Sequence, residues 1–526
     1  MVEQRFSPRP EAYEAMDEAN RKSWYMTGAD RPFGVYMSAT NTGGERVMYN
    51  QFSDDPEIVA AGKAANRLLG LTRLGGNMST VLDPKGEPYG PKSLPPEERQ
   101  EDARQNMRRF LKEVAVDPAM VRVLYPDRDY SQPLKAVSID DDPVVYDEIE
   151  PARLSERSDM VYTYNPNIVF GVRPADCPIV FFEAETPKGP IRVMHHEAWQ
   201  RAANNGMDEF AIELDKLGVD LSTARAYVTP GGQEESFVYP KADFHPHEKY
   251  PDAKDLFKKV TESEGEEGKN YAFMIDTPRF VYEKLLEMGL DKKQIFIDTS
   301  DTTSPKSGYA SHSRASRLDD DNTRDFVVMR TERPYESPIA SNPERPTPPE
   351  IEWQIVPLDI EYIDFNGEKK TGTIEVNRAV YDDVKDFFAK ALELKFPIEN
   401  VVRSSDPEYL WDDDKLMAAN TTSGFNYRLI AGTDEPSLHG LGLAFDVNTE
   451  LNPFIKYEKT DGTPHVDPEG ATYDPDVPGT LTADHPLVTF MKERGWEWGG
   501  DWARDDRPGK KSRTDYQHFQ KAPKQA

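Results

Sequence analysis

The sequence predicts a multidomain protein with an α/β layered domain in its N-terminal part and an α+β domain in its C-terminal part. The chain has 526 residues, more than one hydrophobic core usually supports. Six of the twenty residues from 331 to 350 are proline, which is typical of an extended linker. Strand and helix patterns alternate before this segment, whereas a β-hairpin followed by helices comes after it. We therefore expect domains over residues 1–330 and 351–526, joined by a linker over 331–350.

Composition and charge exclude several classes of protein. Hydrophobic residues make up 37% of the chain and aromatic residues 10%, enough for globular cores. The formal net charge of -30 argues against a protein that binds nucleic acid through its phosphates, because that requires clustered Lys and Arg. Cys177 is the only cysteine, so no internal disulfide can form and a secreted disulfide scaffold is excluded.

The sequence shows neither a secretory signal nor a transmembrane segment. Residues 1–30 lack an apolar stretch after a basic start, and no run approaches eighteen apolar residues. We therefore expect a soluble protein in the cytoplasm. Release by cell lysis or by an unusual export route remains an alternative.

The N-terminal part shows apolar, β-branched runs that predict strands. Three of them follow one another closely, at Ile168–Val172, Ile179–Glu183 and Ile191–Met194. A helix is predicted from Thr277-Pro278 to Gly289, followed by a strand at Gln294–Ile297. This alternation predicts the α/β layered fold. The Glu- and Gly-rich stretch Thr261–Lys269 is expected to be an exposed loop.

The C-terminal part begins with the pattern of a β-hairpin. Strands are predicted at Val356–Phe365 and Thr371–Val376, and Asn366-Gly367 between them supplies the residues of a tight turn. Asn377 is expected to cap a helix that ends before Pro397. The apolar face of that helix comprises Val380, Val384, Phe387, Phe388 and Ala391.

A second helix of the C-terminal part is predicted between polar boundaries. Asp484 would cap it, Lys492 would end it, and Gly495 would stop the chain from continuing as a helix. Its inward residues would be Leu487, Phe490 and Met491. Together with the hairpin, the two helices predict an α+β domain.

Two imidazoles and two carboxylates near the C-terminus have the composition of a catalytic zinc site. His439, Asp446 and His518 would be three metal ligands, leaving a fourth position in which the pKa of a bound water falls to about 7. Asp515, three residues before His518, would take the proton from that water and pass it to the leaving amine. On spacing alone, such His and Asp pairs occur often by chance.

Other residues of this region could complete the site. Arg428 could hold a substrate carboxylate or a developing oxyanion, although a single Arg more often forms a structural ion pair. Gly440 and Gly442 would let the backbone approach the substrate closely. The candidate ligands lie outside the predicted helices.

The order of these residues resembles a known peptidase family. Ser437, His439, Gly442, Ala444 and Asp446 match the Ser-x-His-x-x-Gly-x-Ala-x-Asp signature of VanY-type D-alanyl-D-alanine carboxypeptidases and related L-alanyl-D-glutamate endopeptidases of zinc peptidase family M15. The segments 420–428, 495–502 and 515–519 also resemble this family, and the resemblance runs from about residue 353 to 520. It implies a Hedgehog/DD-peptidase-like α+β fold, one zinc ion, and hydrolysis of a peptide bond in peptidoglycan stem peptides or their precursors. Ser437 would contact substrate or support the site, or serve as a turn hydroxyl.

The N-terminal part contains a second candidate site. Cys177 in Ala175-Asp176-Cys177-Pro178 and His196 in His195-His196-Glu197-Ala198-Trp199 lie at the ends of neighbouring predicted strands. On spacing alone, Cys177 is more often a small buried hydrophobic residue.

These two segments resemble the Ala-Asp-Cys-x-Pro and His-Ala-Gly-Trp signatures of another family, known both as multicopper polyphenol oxidase and as peptidoglycan-editing factor. Residues 38–43 and 54–57 resemble the opening of that family, and residues 311–314 match it weakly. Family members carry a third histidine before the Cys motif, whereas Leu124-Tyr125-Pro126-Asp127 has none. The metal shell of Cys177 and His196 would be incomplete unless Asp127, His195 or His312 substitutes.

Three functions follow as hypotheses from the two resemblances. The first is a zinc D,D-carboxypeptidase or endopeptidase of cell-wall metabolism, fused to a divergent editing-factor-like domain. The second is an enzyme whose main activity is an N-terminal nucleoside phosphorylase or deaminase. The third is a wall-binding or structural module, associated for instance with a phage. The resemblances do not distinguish which stem-peptide bond is cut.

Overall fold

The computed structural model describes most of the chain from residue 94 onward. The described residues are 33–37, 94–297, 302–303, 327–331 and 335–522, except for 114–115, 125, 128, 131, 141–151, 154–156, 233–237, 243–244, 266–267, 431–432, 458–463 and 503–511. The predicted family motifs at residues 38–43, 54–57 and 311–314, which include His312, lie outside them. The chain forms two compact units, residues 1–335 and residues 336–525.

The first unit combines helices with mixed sheets. Its helices are α1 (Pro96–Glu113), α2 (Trp199–Ala203), α3 (Gly206–Lys216), α4 (Pro246–Lys249) and α5 (Thr277–Glu287). Its strands are β1 (Phe33–Met37), β2 (Val121–Val123), β3 (Ala136–Ser138), β4 (Ala152–Arg153), β5 (Met160–Thr163), β6 (Val169–Val172), β7 (Ile179–Glu185), β8 (Ile191–His196), β9 (Asp220–Val228), β10 (Val238–Ala242), β11 (Phe257–Gly265), β12 (Gly268–Ile275), β13 (Ile295–Ile297) and β14 (Val327–Thr331).

A six-stranded sheet forms the centre of this unit. Its strand order is β13-β9-β7-β8-β5-β3, and a five-stranded sheet has the order β1-β14-β6-β2-β4. Side chains of β7 alternate between two cores, because successive residues of a strand point to opposite faces. Val180 and Phe182 pack with helix residues such as Phe210, whereas Phe181 packs with Phe170 of the five-stranded sheet. The sheet is therefore buried on both faces, as a layered α/β arrangement requires.

The sequence-based expectations for this unit are largely met, with one exception. The strands β6, β7, β8 and β13 and the helix α5 occur where the patterns predict them. The loop predicted over Thr261–Lys269 is wrong, because β11 and β12 pair there as a hairpin in antiparallel register. Thr261 to Glu264 are exposed, so backbone pairing rather than burial of their side chains forms this ladder.

The second unit is built from a hairpin, helices and small sheets. Its helices are α6 (Pro349–Glu352), α7 (Tyr381–Glu393), α8 (Asp413–Ala418) and α9 (Pro486–Lys492). Its strands are β15 (Ile355–Ile363), β16 (Lys369–Asn377), β17 (Asn400–Val401), β18 (Thr421–Thr422), β19 (Ala444–Asp446), β20 (Phe454–Tyr457), β21 (Pro464–Asp467), β22 (Glu497–Trp498), β23 (Ser512–Asp515) and β24 (His518–Gln520).

The core of this unit lies between α7 and the strands. The five residues predicted for the apolar face of α7 are all buried. Phe387 contacts Phe445 of β19 and Phe519 of β24, with ring centroids 5.0 and 5.6 Å apart. Since Asp446 and His518 are the sequence neighbours of these two rings, the core fixes the strands that carry two of the candidate ligands.

Two helix boundaries differ in detail from the prediction. Asn377 caps a 3-10 turn that leads into α7, and its side chain accepts a hydrogen bond from the Ala379 backbone amide. The residue that caps α9 is His485, whose Nδ1 accepts from Leu487 N at 3.2 Å. The cap predicted at Asp484 is therefore wrong. The Asp484 carboxylate instead accepts a hydrogen bond from the Thr482 hydroxyl at 2.7 Å, and Pro486 begins the helix directly after His485.

The proline-rich segment is mostly irregular, but it is not a free spacer along its whole length. Thr331 ends β14, and Pro349 begins α6. Ile339 is buried in an apolar cluster with Ile351, Ile355 and Phe425 of the second unit. Within the described part of the chain, no helix has the length and apolar character needed to cross a membrane.

Candidate metal centre

The strand pairing of the second unit brings two predicted ligands face to face. β19 and β24 are antiparallel, and Asp446 is the direct partner of His518 in their register. Oδ1 of Asp446 lies 3.1 Å from Nδ1 of His518. Directly opposite residues of an antiparallel pair have neighbouring side chains, so the ladder itself places an imidazole beside a carboxylate.

His439 reaches the same point from a turn. Its Nε2 lies 3.1 Å from His518 Nδ1 and 3.3 Å from Asp446 Oδ2. The ligand-type atoms of these three residues all lie within 4.8 Å of one another, and they are the only such group of three among the described residues.

When the rings are neutral, the outer hydrogen bonds of both imidazoles leave their inner nitrogens without a proton. Nδ1 of His439 faces the Gly424 carbonyl oxygen at 2.8 Å, and Nε2 of His518 faces the Gln520 Oε1 atom at 3.0 Å. Because both partners are acceptors, these nitrogens must donate, which makes the two facing nitrogens lone-pair acceptors in the neutral rings. The Gln520 amide nitrogen in turn donates to Glu497 Oε2 at 2.8 Å, which orients the amide.

Two lone pairs 3.1 Å apart repel each other unless a proton or a metal ion lies between them. A tetrahedral zinc ion with ligand bonds of about 2.0–2.1 Å would separate its ligand atoms by roughly 3.3 Å. The two imidazole nitrogens are 3.1 Å apart, and the Asp446 carboxylate approaches one with Oδ1 at 3.1 Å and the other with Oδ2 at 3.3 Å. Acceptor partners on the outer nitrogens are also the usual support of metal-binding histidines. The residues present therefore fit a zinc ion.

Electrostatics keep the Asp446 carboxylate charged. Burial would raise its pKa, but the two neighbouring imidazoles outweigh this effect and hold the pKa well below its usual range. Burial lowers the pKa of His518, yet its hydrogen bond to Asp446 raises the pKa overall. A charged carboxylate beside two imidazoles attracts a positive charge, either a metal ion or a proton.

Asp515 differs from Asp446 although both line the same cavity. Burial, the largest effect, raises the pKa of Asp515 to about 6. Its Oδ1 atom is buried and has no hydrogen-bond partner among the described residues. A carboxyl group with a pKa near neutrality and a free oxygen can accept and return a proton.

Gly499 explains how Asp515 reaches this position. A Cβ atom at residue 499 would lie 2.4 Å from the carbonyl oxygen and 2.8 Å from the Cβ of Asp515. Only glycine permits this close approach of the two backbones. The glycine therefore belongs to the structural support of the site.

A cavity of about 490 Å³ is lined by the predicted ligands His439, Asp446 and His518 and by Arg428, Ser437 and Asp515. Arg428 lies in its wall and forms an ion pair with Asp413, which also accepts a hydrogen bond from Asn426 Nδ2 at 2.6 Å. Ser437 also lines the cavity, and its hydroxyl accepts a hydrogen bond from the Gly440 amide at 3.0 Å within the turn that carries His439.

The two glycines of the histidine turn pack against the protein itself. A Cβ atom at Gly440 would lie 2.8 Å from the Arg428 carbonyl oxygen, and one at Gly442 would lie 2.6 Å from Ile355 Cδ1. Gly442 also has a φ of +66°. Internal packing and the turn account for both glycines, and their expected role in approaching the substrate stays a prediction.

The second candidate site lies at one edge of the central sheet in the first unit. Ile179 pairs with His196 across β7 and β8. Burial lowers the pKa of His196, and the neighbouring Asp159 and Cys177 raise it. His195 is fully buried, with Nδ1 3.0 Å from the Asp159 carbonyl oxygen and Nε2 2.5 Å from Glu197 Oε2. Both nitrogens of His195 are thus engaged and do not substitute for the missing third ligand.

Asp127 does not complete a metal shell either. Its Oδ1 accepts a hydrogen bond from the Asp129 amide at 3.1 Å. Within the part of the chain that the structure describes, Cys177 and His196 belong to no group of three metal-ligating residues. The described residues around Cys177 and His196 therefore do not fit a bound zinc or copper ion.

Comparisons with known proteins match both parts of the chain. Residues 431–521 match the family model for D-alanyl-D-alanine carboxypeptidase. Residues 93–321 match the family model for multi-copper polyphenol oxidoreductase laccase. Both resemblances are confirmed. The peptidase match contains His439, Asp446, Asp515 and His518, and the laccase match contains both Cys177 and His196. A search of curated proteins finds no significant match.

Three solved structures are similar to part of the chain. The hypothetical protein YfiH from Bacillus licheniformis is 16% identical and has a TM-score of 0.33, covering 44% of this chain and 80% of that one. A DUF152 protein from Neisseria meningitidis is 16% identical with a TM-score of 0.32, covering 44% and 82%. YlmD from Geobacillus stearothermophilus is 12% identical with a TM-score of 0.36, covering 58% and 94%.

Several supporting residues escaped the sequence analysis. Gln520 lies two residues after His518 and therefore on the same face of β24, a signal that could have identified it. The Gly424 carbonyl and the carboxylates of Asp413 and Asp159 come from distant parts of the sequence. Their roles depend on tertiary contacts that no local pattern encodes.

Proposed function

We propose that the C-terminal domain is a zinc-dependent peptidase that hydrolyses a peptide bond in peptidoglycan stem peptides or their precursors. The observation that carries this proposal is the meeting of His439, Asp446 and His518 in one cavity with the separate carboxyl group of Asp515. The peptidase match over residues 431–521 supports the reaction class. The proposal includes a Hedgehog/DD-peptidase-like fold for residues 351–526, an N-terminal domain over 1–330, and cytoplasmic residence.

His439, Asp446 and His518 would hold the zinc ion. When bound, zinc lowers the pKa of water to about 7 and polarises a carbonyl group. Gly424 and Gln520 orient the two imidazoles through their outer nitrogens, so the inner nitrogens would be available to hold the ion.

Asp515 would act as the proton carrier of the reaction. Its buried Oδ1 has no hydrogen-bond partner among the described residues, so it can accept the proton that the attacking water loses and return it to the leaving amine. A carboxyl group with a pKa of about 6 can do both near neutral pH.

Arg428 would provide positive charge for the substrate. Its guanidinium group lies in the cavity wall beside Asp413. A substrate carboxylate or the oxyanion of the tetrahedral intermediate would share this guanidinium with Asp413. Ser437 would support the turn and contact substrate at the cavity edge.

The experiment that tests the proposal is mass spectrometry of the protein incubated with a UDP-linked muramyl pentapeptide and with muropeptides. Loss of terminal D-alanine that a chelator prevents would identify a carboxypeptidase. A chelator-sensitive cut inside the stem would identify an endopeptidase. Absence of any cleavage in a sample shown to contain zinc would refute the proposal.

A further inference from the structure

The wall of the C-terminal cavity contains a second guanidinium group besides that of Arg428. It belongs to Arg513, which lies in β23 two residues before Asp515, and both residues line the cavity. Side chains two residues apart on a strand point to the same face, with about 7 Å between their backbone positions. Arg513 therefore faces the same space as the proposed proton carrier.

An aromatic ring restricts the position of the Arg513 side chain. The guanidinium carbon of Arg513 lies 4.7 Å from the centre of the Trp502 ring, a distance at which an arginine is attracted to the face of an indole. The centre of the Trp502 ring also lies 5.3 Å from that of the His518 ring. Trp502 thus contacts both this cation and one of the proposed metal ligands.

The two arginines of the cavity differ in their partners. Arg428 forms an ion pair with Asp413. Arg513 is exposed and forms no ion pair with any residue that the structure describes. Since no described carboxylate compensates the charge of Arg513, this charge is available to a ligand in the cavity.

An anion that enters this cavity would meet mostly negative charge away from Arg513. Besides the proposed ligands and proton carrier, the cavity lining includes the carboxylates of Asp413, Asp414 and Asp467. Like charges close together repel. Lys456 adds positive charge near Arg513, because the two residues are direct partners in the pairing of β20 and β23. Positive charge is therefore concentrated at the β23 wall.

We propose that Arg513 is a specificity-determining residue that binds the carboxylate of an acidic residue in the substrate peptide. This inference rests on the proposed peptidase function and adds the substrate class, a peptide with an acidic residue within about three residues of the bond that is cut. The planar guanidinium group matches a carboxylate with two parallel hydrogen bonds. An extended peptide advances about 3.3 Å per residue, so an offset of about 7 Å from Asp515 corresponds to roughly two residues.

The chemistry of the stem peptides supplies such a group. Their second residue is D-glutamate, whose carboxylate lies inside the peptide rather than at its end. The phosphates of a UDP-linked precursor would also match a guanidinium group, but they lie on the far side of the sugar from the peptide. The short offset between Arg513 and Asp515 favours the carboxylate.

The test compares three forms of a stem pentapeptide that has L-lysine as its third residue. One is the free acid, one has D-isoglutamine in place of D-glutamate, and one has a carboxamide at its C-terminus. The full-length, zinc-loaded protein carries Asp515→Asn to slow turnover, and calorimetry gives the dissociation constants. We expect the D-isoglutamine form to bind about 10- to 100-fold more weakly than the free acid. Where a peptide is still cleaved, KM replaces the dissociation constant.

Variants of Arg513 identify the group that causes this preference. Arg513→Gln removes the charge, so the free acid and the D-isoglutamine form should bind equally, while any preference for a free C-terminus should persist. Arg513→Lys keeps the charge without the planar fork and should retain part of the preference.

Arg494→Gln is the matched control. Arg494 also stacks on an aromatic ring, with its guanidinium carbon 3.6 Å from the centre of the Phe490 ring, but it is not among the residues that line the cavity. This variant should keep the preference for D-glutamate in full.

Several results would overturn the proposal. They are no binding of any form, equal binding of the free acid and the D-isoglutamine form before Arg513 is changed, a preference that persists in Arg513→Gln, and loss of the preference in Arg494→Gln. A UDP-linked muramyl pentapeptide serves as a fourth ligand. If Arg513→Gln weakened only this ligand, the guanidinium group would bind phosphate and the carboxylate assignment would be wrong.

Cleavage assays of the wild-type protein separate this proposal from the proposed function. Absence of cleavage together with an intact preference for D-glutamate would refute the peptidase but not the role of Arg513. Cleavage without such a preference would refute the role of Arg513 alone.

Discussion

Asp446 Oδ1 lies 3.1 Å from His518 Nδ1 because the two residues are direct partners in the antiparallel pair of β19 and β24. They are 72 residues apart in the chain, yet a strand ladder fixes their separation. The adjacent rings of Phe445 and Phe519 stack in the core at 5.3 Å. The core therefore holds the two strands that carry these candidate metal ligands.

Replacing the proposed proton carrier should separate catalysis from metal binding. Asp515→Asn removes the proposed proton acceptor but none of the three proposed ligands, so zinc should stay bound while the rate falls by about 10²- to 10⁴-fold. Zinc content and kcat measured on the same sample check this. Asp467→Asn, in the same cavity, is the control; full activity in Asp515→Asn would remove Asp515 from the mechanism.

Removing a proposed ligand should release the metal. His439→Ala leaves only two of the three ligands, and we expect the purified variant to contain far less zinc than the wild-type protein. His465→Ala removes an imidazole that is 57% exposed and paired with Asp467, and should keep the wild-type content. Normal zinc stoichiometry in His439→Ala would contradict the ligand assignment.

Gln520, which faces the outer nitrogen of His518, should affect zinc affinity although it is not a proposed ligand. Gln520→Ala removes the oxygen that holds this imidazole, and we expect zinc affinity to fall by about 10- to 100-fold. Glu497→Gln keeps a hydrogen-bonding partner for Gln520 and should change affinity little. Competition with a chromogenic chelator measures both, and equal affinities of Gln520→Ala and the wild type would refute the role.

The buried carboxyl group of Glu375 should make the second unit more stable at lower pH. It is 2% exposed, and burial raises its pKa from 4.5 to about 7. Since the folded state binds this proton more tightly than the unfolded state, stability is highest below pH 4.5 and falls as pH rises towards 7. The cost above pH 7 is about 3 kcal/mol, taking about 1.4 kcal/mol per pH unit.

Glu375→Gln should remove this cost. We expect the variant to unfold at higher temperature than the wild type at pH 8, with a difference that shrinks as pH falls towards 5.5. Glu361→Gln, whose side chain is 62% exposed, is the control and should change little. A constant difference between the Glu375 variant and the wild type from pH 5.5 to 8 would contradict the titration of Glu375.

The sequence alone identifies the elements that have a strong local pattern. The hairpin of β15 and β16 and the helix α7 follow from a turn dipeptide and an apolar face of helical period. The hairpin of β11 and β12 was missed because its exposed, Glu-rich residues carry no apolar alternation. Its pairing depends on backbone hydrogen bonds that composition does not encode.

The residues of the candidate sites also differ in whether a local sequence pattern reveals them. His439, Asp446 and His518 could be named from a spaced signature, since the residue types themselves indicate metal chemistry. The residues that support these sites could not be predicted from the sequence. Gly424 acts through its backbone carbonyl, which no residue type indicates. Asp159 has no recognisable motif, and only the fold places it 2.9 Å from His196.

The most direct test of the central claim is the product of the reaction between this protein and a UDP-linked muramyl pentapeptide or purified muropeptides. We predict cleavage of one stem-peptide bond that stops with a chelator and returns with zinc. Cleavage that persists in the metal-free protein, or no cleavage of either substrate by protein shown to contain zinc, would contradict the assignment and favour an N-terminal activity or a wall-binding module.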